Sequence, residues 1–332
     1  MSHDQAHRWT RRHLLAATTG LLAASSLPMA ARAATWPAKP VRLLVPYATG
    51  TPPDIASRLI AGHLSPLLGQ PVYAENKPGA IGLVALTELL RQPADGYTLY
   101  CMLMPVTTAG TLLPAQKVDL QKELQPFSQI DWSPTVLVVN NDVKATDVAS
   151  FRDLLRQHPG ELSFGSGGNG TPAHLAGELF KQQQKVQATH VPYAQFSQLI
   201  PDLVAGRVQF MFLTGTVALS LVQTGKLRAL GVVDRQRMAG LPNVPTLIER
   251  GMGDFDVRNW DGIAVKAGTP PEIVERLNKA IREILGKPDV AARFAEAGMI
   301  PQASSPQEFG QLIQREQARW AGVIRDANIS VA

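Results

Sequence analysis

Phe164–Leu175 reads FGSGGNGTPAHL, with Gly165, Gly167 and Gly170 at the spacing G-x-G-x-x-G. The stretch follows a strand-like Leu162–Phe164 and opens a helix-like run at Pro172, the place of a dinucleotide fingerprint. Such a site also needs an acidic residue about 20 positions on, to hold a ribose. The corresponding segment, ATHVPYAQF, has no acid before Asp202, so a nucleotide is disfavoured. Anion binding remains. Thr171 and Pro172 suit the N-cap and first helical positions, and N–H groups at a helix start favour a carboxylate or phosphate. Gly165, Gly167, Gly168 and Gly170 let the backbone approach a ligand; a flexible connection holding nothing is the alternative. A second loop, YATGTPPD (Tyr47–Asp54), also leaves a strand and opens a helix. His174 could donate to an anion or be an idle side chain. Asp54 could meet a cationic group or simply complement the helix dipole. Tyr47 and Tyr193 could stack on a ligand or only pack. Asp54–Arg58, at i,i+4, reads as a helix-surface pair.

The rest of the chain narrows the function classes. Its 332 residues, 45% hydrophobic and 18% charged, fit two medium lobes or one large α/β domain. Arg8, Arg11 and Arg12 precede an apolar run, Leu14 to Leu27, and Ala31-Arg32-Ala33 offers a cleavage site. That order describes an export signal over residues 1–33, by the Sec or the twin-arginine route; the run is shorter than the ~20 residues of a membrane span. Without those residues, Lys+Arg falls from 32 to 28 and Asp+Glu from 27 to 26, so the net charge falls from +5 to +2. No basic block then argues for nucleic acid. The single cysteine, Cys101, sits in the apolar run LYCMLM and reads as a buried thiol. No H-E-x-x-H or G-x-S-x-G spacing occurs, so neither a metal, a cofactor nor a nucleophile triad is expected.

From residue 40 onward, β-rich runs alternate with helical patterns. Strands are expected at 41–47, 72–76 and 97–103, with helices at 53–69 and 79–93. A second series has strands at 135–140, 189–193, 208–214 and 227–233, and a mostly helical tail follows from 270. The alternation implies parallel strands with helical crossovers, arranged as two α/β lobes facing a cleft, where loops at strand ends bind ligands.

The chain resembles the Bug-type, TctC-like periplasmic solute-binding receptors of tripartite tricarboxylate transporters. The resemblance rests on WPAKPVRLLVPYATG, ENKPGAIG, PADGYTLY, HPGELSFGSGGNGTPAHLAGELF, HVPYAQFSQLIPDLVAGRVQFMF, GKLRALGVV, LPNVPTLIERG and AGTPPEIVERLNKAI, spread over most of the chain beyond the leader. It implies a two-lobe, type II-like periplasmic binding protein that is not an enzyme. Lobe 1 would be 34–134 plus 254–332, and lobe 2 would be 135–253. Such a monomer closes on a small carboxylic acid and delivers it to a membrane permease, or alternatively signals to a sensor kinase ectodomain. An exported hydrolase is the remaining alternative. The implied ligand contacts are Tyr47, Thr49, Gly50, Thr51 and Asp54 in the first loop, and Ser166, Gly167, Gly168, Asn169, Gly170 and Thr171 in the second, with His174 beside it. Met104, Pro105, Tyr193 and Ala194 complete the set. The first loop departs from the family pattern: Thr51 replaces a glycine, and Pro52-Pro53 precede Asp54. Proline carries no N–H, so a less charged or more apolar ligand is expected, such as an aromatic or monocarboxylic acid. Ala194-Gln195 also stands where relatives often carry Lys-Gly.

Overall fold

The structure, a computed structural model, describes residues 36–330 except 194, 254 and 256, and its strands form two sheets. The expected leader lies outside the described residues. The first sheet has the order β11-β4-β10-β3-β1-β2, and the second β7-β6-β8-β5-β9. In the first, β1 (Val41–Val45) lies between β2 (Val72–Asn76) and β3 (Thr98–Leu103), parallel to both. β10 (Asn259–Lys266) runs antiparallel to β3 and to β4 (Leu124–Ser133), and the short β11 (Ile300–Pro301) closes that edge. The second sheet holds β5 (Thr135–Asn140), β6 (Ser163–Ser166), β7 (Thr189–Pro192), β8 (Phe210–Thr214) and β9 (Leu227–Val233). The chain enters it through Pro134 alone, between β4 and β5, and returns between Val233 and Asn259.

The helices follow local chemistry. In α1 (Pro52–Leu68) the two prolines occupy the first turn, where N–H groups have no helical partner anyway. Gly69 ends the helix at φ 73 with its N–H on Ser65 O. The expected helix at 79–93 is shorter. Gly79, Ala80, Ile81 and Gly82 all have positive φ, and only then does α2 (Leu83–Leu90) begin. A Cβ on Gly82 would stand 2.8 Å from the Tyr100 hydroxyl, so the chain turns there around a buried phenol. Two short helices, α3 (Ala109–Leu112) and α4 (Leu120–Glu123), lead into β4. Beside the second sheet lie α5 (Val148–Gln157), α6 (Pro172–Gln184), α7 (Phe196–Val204) and α8 (Gly215–Gln223). The tail forms α9 (Pro271–Leu285), α10 (Pro288–Glu296) and α11 (Pro306–Asp326). α9 buries Ile273, Val274, Leu277, Ile281 and Ile284, the stripe of an amphipathic helix.

Two expectations need correction. The sheets are mixed, since β4, β5, β9 and β10 pair antiparallel. The strands β4 and β10 were not legible, because register shifts at Asp261/Gly262 and Ile263/Ala264 break the period-two pattern that identifies a strand. These two strands nevertheless carry part of the site. Cys101, on β3, is fully buried as expected.

Candidate functional site

A cavity of about 490 Å³ lies between the facing ends of the two sheets. From the first sheet's side it is lined by Tyr47, Pro52, Pro53, Leu103, Met104, Pro105, Asp131, Ser133, Asn259, Trp260 and Asp261. From the second come Thr135, Gly167, Thr171, Pro172, Ala173, Met211, Phe212, Thr214, Thr216 and Val217, with Ala297–Met299 following α10. The lining is mainly apolar, and it contains no Lys, Arg or His.

Of the residues expected at the site, Tyr47, Met104, Pro105, Gly167 and Thr171 line this cavity. The others in the first loop hold it in shape. Asp54 is 2% exposed; its carboxylate accepts from the Gly50 N–H at 2.9 Å, Arg58 Nε at 3.0 Å and Asn76 Nδ2 at 2.7 Å. Burial opposes its ionisation, but hydrogen bonds from Arg58, Gly50 and Asn76 hold the carboxyl below its ordinary range. Asn76 also donates to Tyr47 O at 2.9 Å and accepts from Thr49 Oγ1 at 3.2 Å, while Thr51 Oγ1 donates to Ala48 O at 2.7 Å. Asp54 therefore fastens the loop to β2, with its acceptor capacity already used.

The glycine loop is built in the same way. Ser166 Oγ accepts from the Gly168 N–H at 3.1 Å and meets His190 Nε2 at 2.7 Å. Gly170 N–H donates to His174 Nδ1 at 3.1 Å, and Thr171 Oγ1 donates to Gly168 O at 2.7 Å. Gly168 and Gly170 have φ of 119° and 76°, a conformation that glycine adopts freely. His174 is buried beneath the loop rather than facing the cavity, and its ring stacks on His190 at 3.7 Å. Burial, then the neighbouring His190 and Lys181, push its pKa down to about 3; burial and Lys181 take His190 down to about 4. Both rings are neutral at pH 7, so His174 supplies no cation. Tyr193 donates its hydroxyl to Asp202 at 2.8 Å and its N–H to Ser166 O at 2.9 Å. Asn169 reaches Ser330 O at 2.6 Å. Ala194 lies outside the described residues.

What remains for a ligand is the start of α6. Thr171 makes no cap hydrogen bond to the helix, so the first-turn N–H groups of Ala173 and His174 have no intrahelical partner. Ala173 lines the cavity. α1 offers less, because Pro52 and Pro53 face the cavity without an N–H.

The sequence reading missed Asp131 and Asp261. They are Cα partners across β4 and β10, 1% and 7% exposed, and share a side-chain hydrogen bond. Burial raises Asp261 to about 7 against the hydrogen bond from Asp131, and burial with the Asp261 charge raises Asp131 well above its ordinary value. Tyr47 is pushed up to about 12 by burial and then by Asp261. The available signal was an acid inside an otherwise apolar run, in IDWS and NWDGIAV.

Residues 56–329 match the model of the tripartite tricarboxylate transporter family receptor, TctC. The chain belongs to this family. TctC receptors are binding proteins rather than enzymes. Protein BugT of Bordetella pertussis is 31% identical over 315 residues, covering 94% of this chain and 97% of that one. Among solved structures, Rpa4515 of R. palustris with adipate is 32% identical, covers 89% of this chain and 99% of its own, and gives a TM-score of 0.76. MatC (Rpa3494) from Rhodopseudomonas palustris with bound malate is 29% identical, covers 87% and 100%, and gives 0.73. The two-sheet, two-lobe architecture is that of the Bug and TctC periplasmic binding proteins, the BugD structure included.

Proposed function

We propose that this TctC receptor captures a small organic acid with one carboxylate at the start of α6, by closure of its two lobes. It then hands the acid to the membrane permease of a tripartite transporter, after export directed by residues 1–33. One observation carries this reading: the cavity combines a helix N-terminus with a mainly apolar lining and no basic side chain. A single carboxylate is matched by two or three N–H groups and the helix dipole. A tricarboxylate would leave charge unpaired against Met104, Pro105 and Met211, which is costly in a dry site. Adipate on Rpa4515 and malate on MatC support an acid as the ligand class. Lobes at 34–134 plus 254–332 and at 135–253 fit the two points where the chain passes between the sheets.

A thermal-shift screen of mono-, di- and tricarboxylates tests the reading, because a ligand that binds only the native state raises the melting point by mass action. Monocarboxylic or aromatic acids are expected to give the largest shifts. If no acid shifts the melting point, the proposal fails. The prolines give a second test. Pro52→Gly with Pro53→Ser restores two N–H donors at the start of α1 and should tighten dicarboxylate binding about tenfold, the worth of one or two charge-assisted hydrogen bonds. Unchanged affinities across a carboxylate series would show that this loop does not set the preference.

A further inference from the structure

The cavity has two unlike walls, one from each sheet's side. At one, the start of α6 presents N–H groups. At the other, Asp131 and Asp261 stand side by side on neighbouring strands and both line the cavity wall. Paired acids inside a protein are ordinarily served by a cation or by several donors. Here Asp131 Oδ2 is buried without a hydrogen-bond partner, in a residue 1% exposed, although the two acids share one side-chain hydrogen bond. Among the described residues, no Lys, Arg or His forms an ion pair with either acid, and none lines the cavity. Tyr47 and Cys101, whose charges interact with Asp261, are not cations. Two buried acids that hold a proton between them for want of a cation, on the wall of a ligand cavity, form a subsite for a cationic donor on the ligand, which lets the pair ionise.

We propose that the Asp131–Asp261 pair receives an ammonium group of the ligand, so that the bound solute is an amino acid whose ammonium and carboxylate lie at opposite ends. The inference rests on the carboxylate reading of α6 given above and adds the second anchor. The ammonium offers three donors. It meets the carboxyl oxygens that Asp131 and Asp261 turn to the cavity wall, while the apolar walls of Leu103, Met104 and Met211 cover the methylenes between the ends. A second ligand carboxylate at this end brings no cation to the pair, so a diacid lacks the gain that an ammonium makes there.

Four six-carbon probes separate the parts of this claim: adipate, hexanoate, ε-aminocaproate and hexylamine, each titrated by calorimetry into the purified full-length chain at pH 7. ε-Aminocaproate is expected to bind about tenfold or more tightly than hexanoate or adipate, as a charge-assisted hydrogen bond to a buried acceptor implies. Asp131→Asn should remove most of that advantage, bringing the affinities of the variant for ε-aminocaproate and hexanoate to within about threefold of each other. Adipate or hexanoate binding as tightly as ε-aminocaproate would overturn the ammonium subsite and leave the acid-binding reading standing. Hexylamine binding as tightly as ε-aminocaproate would support the subsite and sink the carboxylate reading. A flat titration with all four overturns both. The comparison between probes on the unaltered chain does not depend on whether the variant folds.

Discussion

Phe164→Ala is expected to destabilise the chain by about 3–5 kcal/mol, the cost of deleting a fully buried phenyl ring. Phe164 is 0% exposed. Its ring centroid lies 4.9 Å from His190, 5.5 Å from Phe210 and 6.2 Å from His174. A Cβ on Gly177 of α6 would collide with the same ring, so the glycine is what lets the helix sit down on it. Truncation opens a void directly beneath the Ser166–Thr171 loop. Urea unfolding should show a lower midpoint with an unchanged slope. Ligand affinity should fall as well, because the start of α6 loses its support. A variant with wild-type stability would mean that the loop does not rest on this ring.

The second large effect concerns pH. A carboxyl whose pKa is raised by folding favours the folded state at low pH and loses that contribution as pH rises through its folded value. For Asp261 the window runs from its ordinary 3.8 to about 7. His174 and His190 act the other way. Their values fall from 6.5 to about 3 and about 4, so they favour the folded chain above 6.5 and lose that contribution as pH falls. The wild-type profile is the resultant of the two pairs, and Asp261→Asn should separate them. The variant should match wild type near pH 4 and become the more stable by up to about 4 kcal/mol near pH 7, since raising a carboxyl from 3.8 to about 7 costs its ionised form about 1.4 kcal/mol for each pH step of one. Denaturation curves of both proteins from about pH 4 to about pH 8 measure the difference, with the histidine contribution common to both. A difference that does not change with pH would mean that Asp261 is not held protonated by burial.

The parts of the fold visible in the sequence are those with local punctuation. β2, β5 and β9 are continuous β-rich runs between turn residues, and their limits match the expected ones. Gly69 and Pro172 mark helix ends by backbone geometry alone. β4 and β10 have no such signature. Pro126 interrupts one, and bulges shift the register of the pair, so inward and outward positions do not alternate. The cleft acids Asp131 and Asp261 lie on those two strands, and only long-range pairing brings them together. The same holds for His174. Its place at a helix start suggests a ligand donor, but packing against His190, sixteen positions further along the chain, keeps it neutral and turned to Gly170. The prolines at 52 and 53 were legible as an unusual feature of the first loop, and they do face the cavity.

The central claim is that one small acid binds in the cavity with its carboxylate at the start of α6. Calorimetric titration of the strongest acid from the thermal-shift screen into the native chain and into Ala173→Trp tests it most directly. Ala173 lines the cavity on the first turn of α6 and is only partly buried, so an indole there fills the carboxylate end while the rest of the fold is left in place. The expected result is one-to-one binding to the native chain and a loss of about a hundredfold or more in the variant, as for a blocked pocket with its hydrogen bonds removed, at a similar melting point without ligand. Equal affinity for the two proteins would contradict the account.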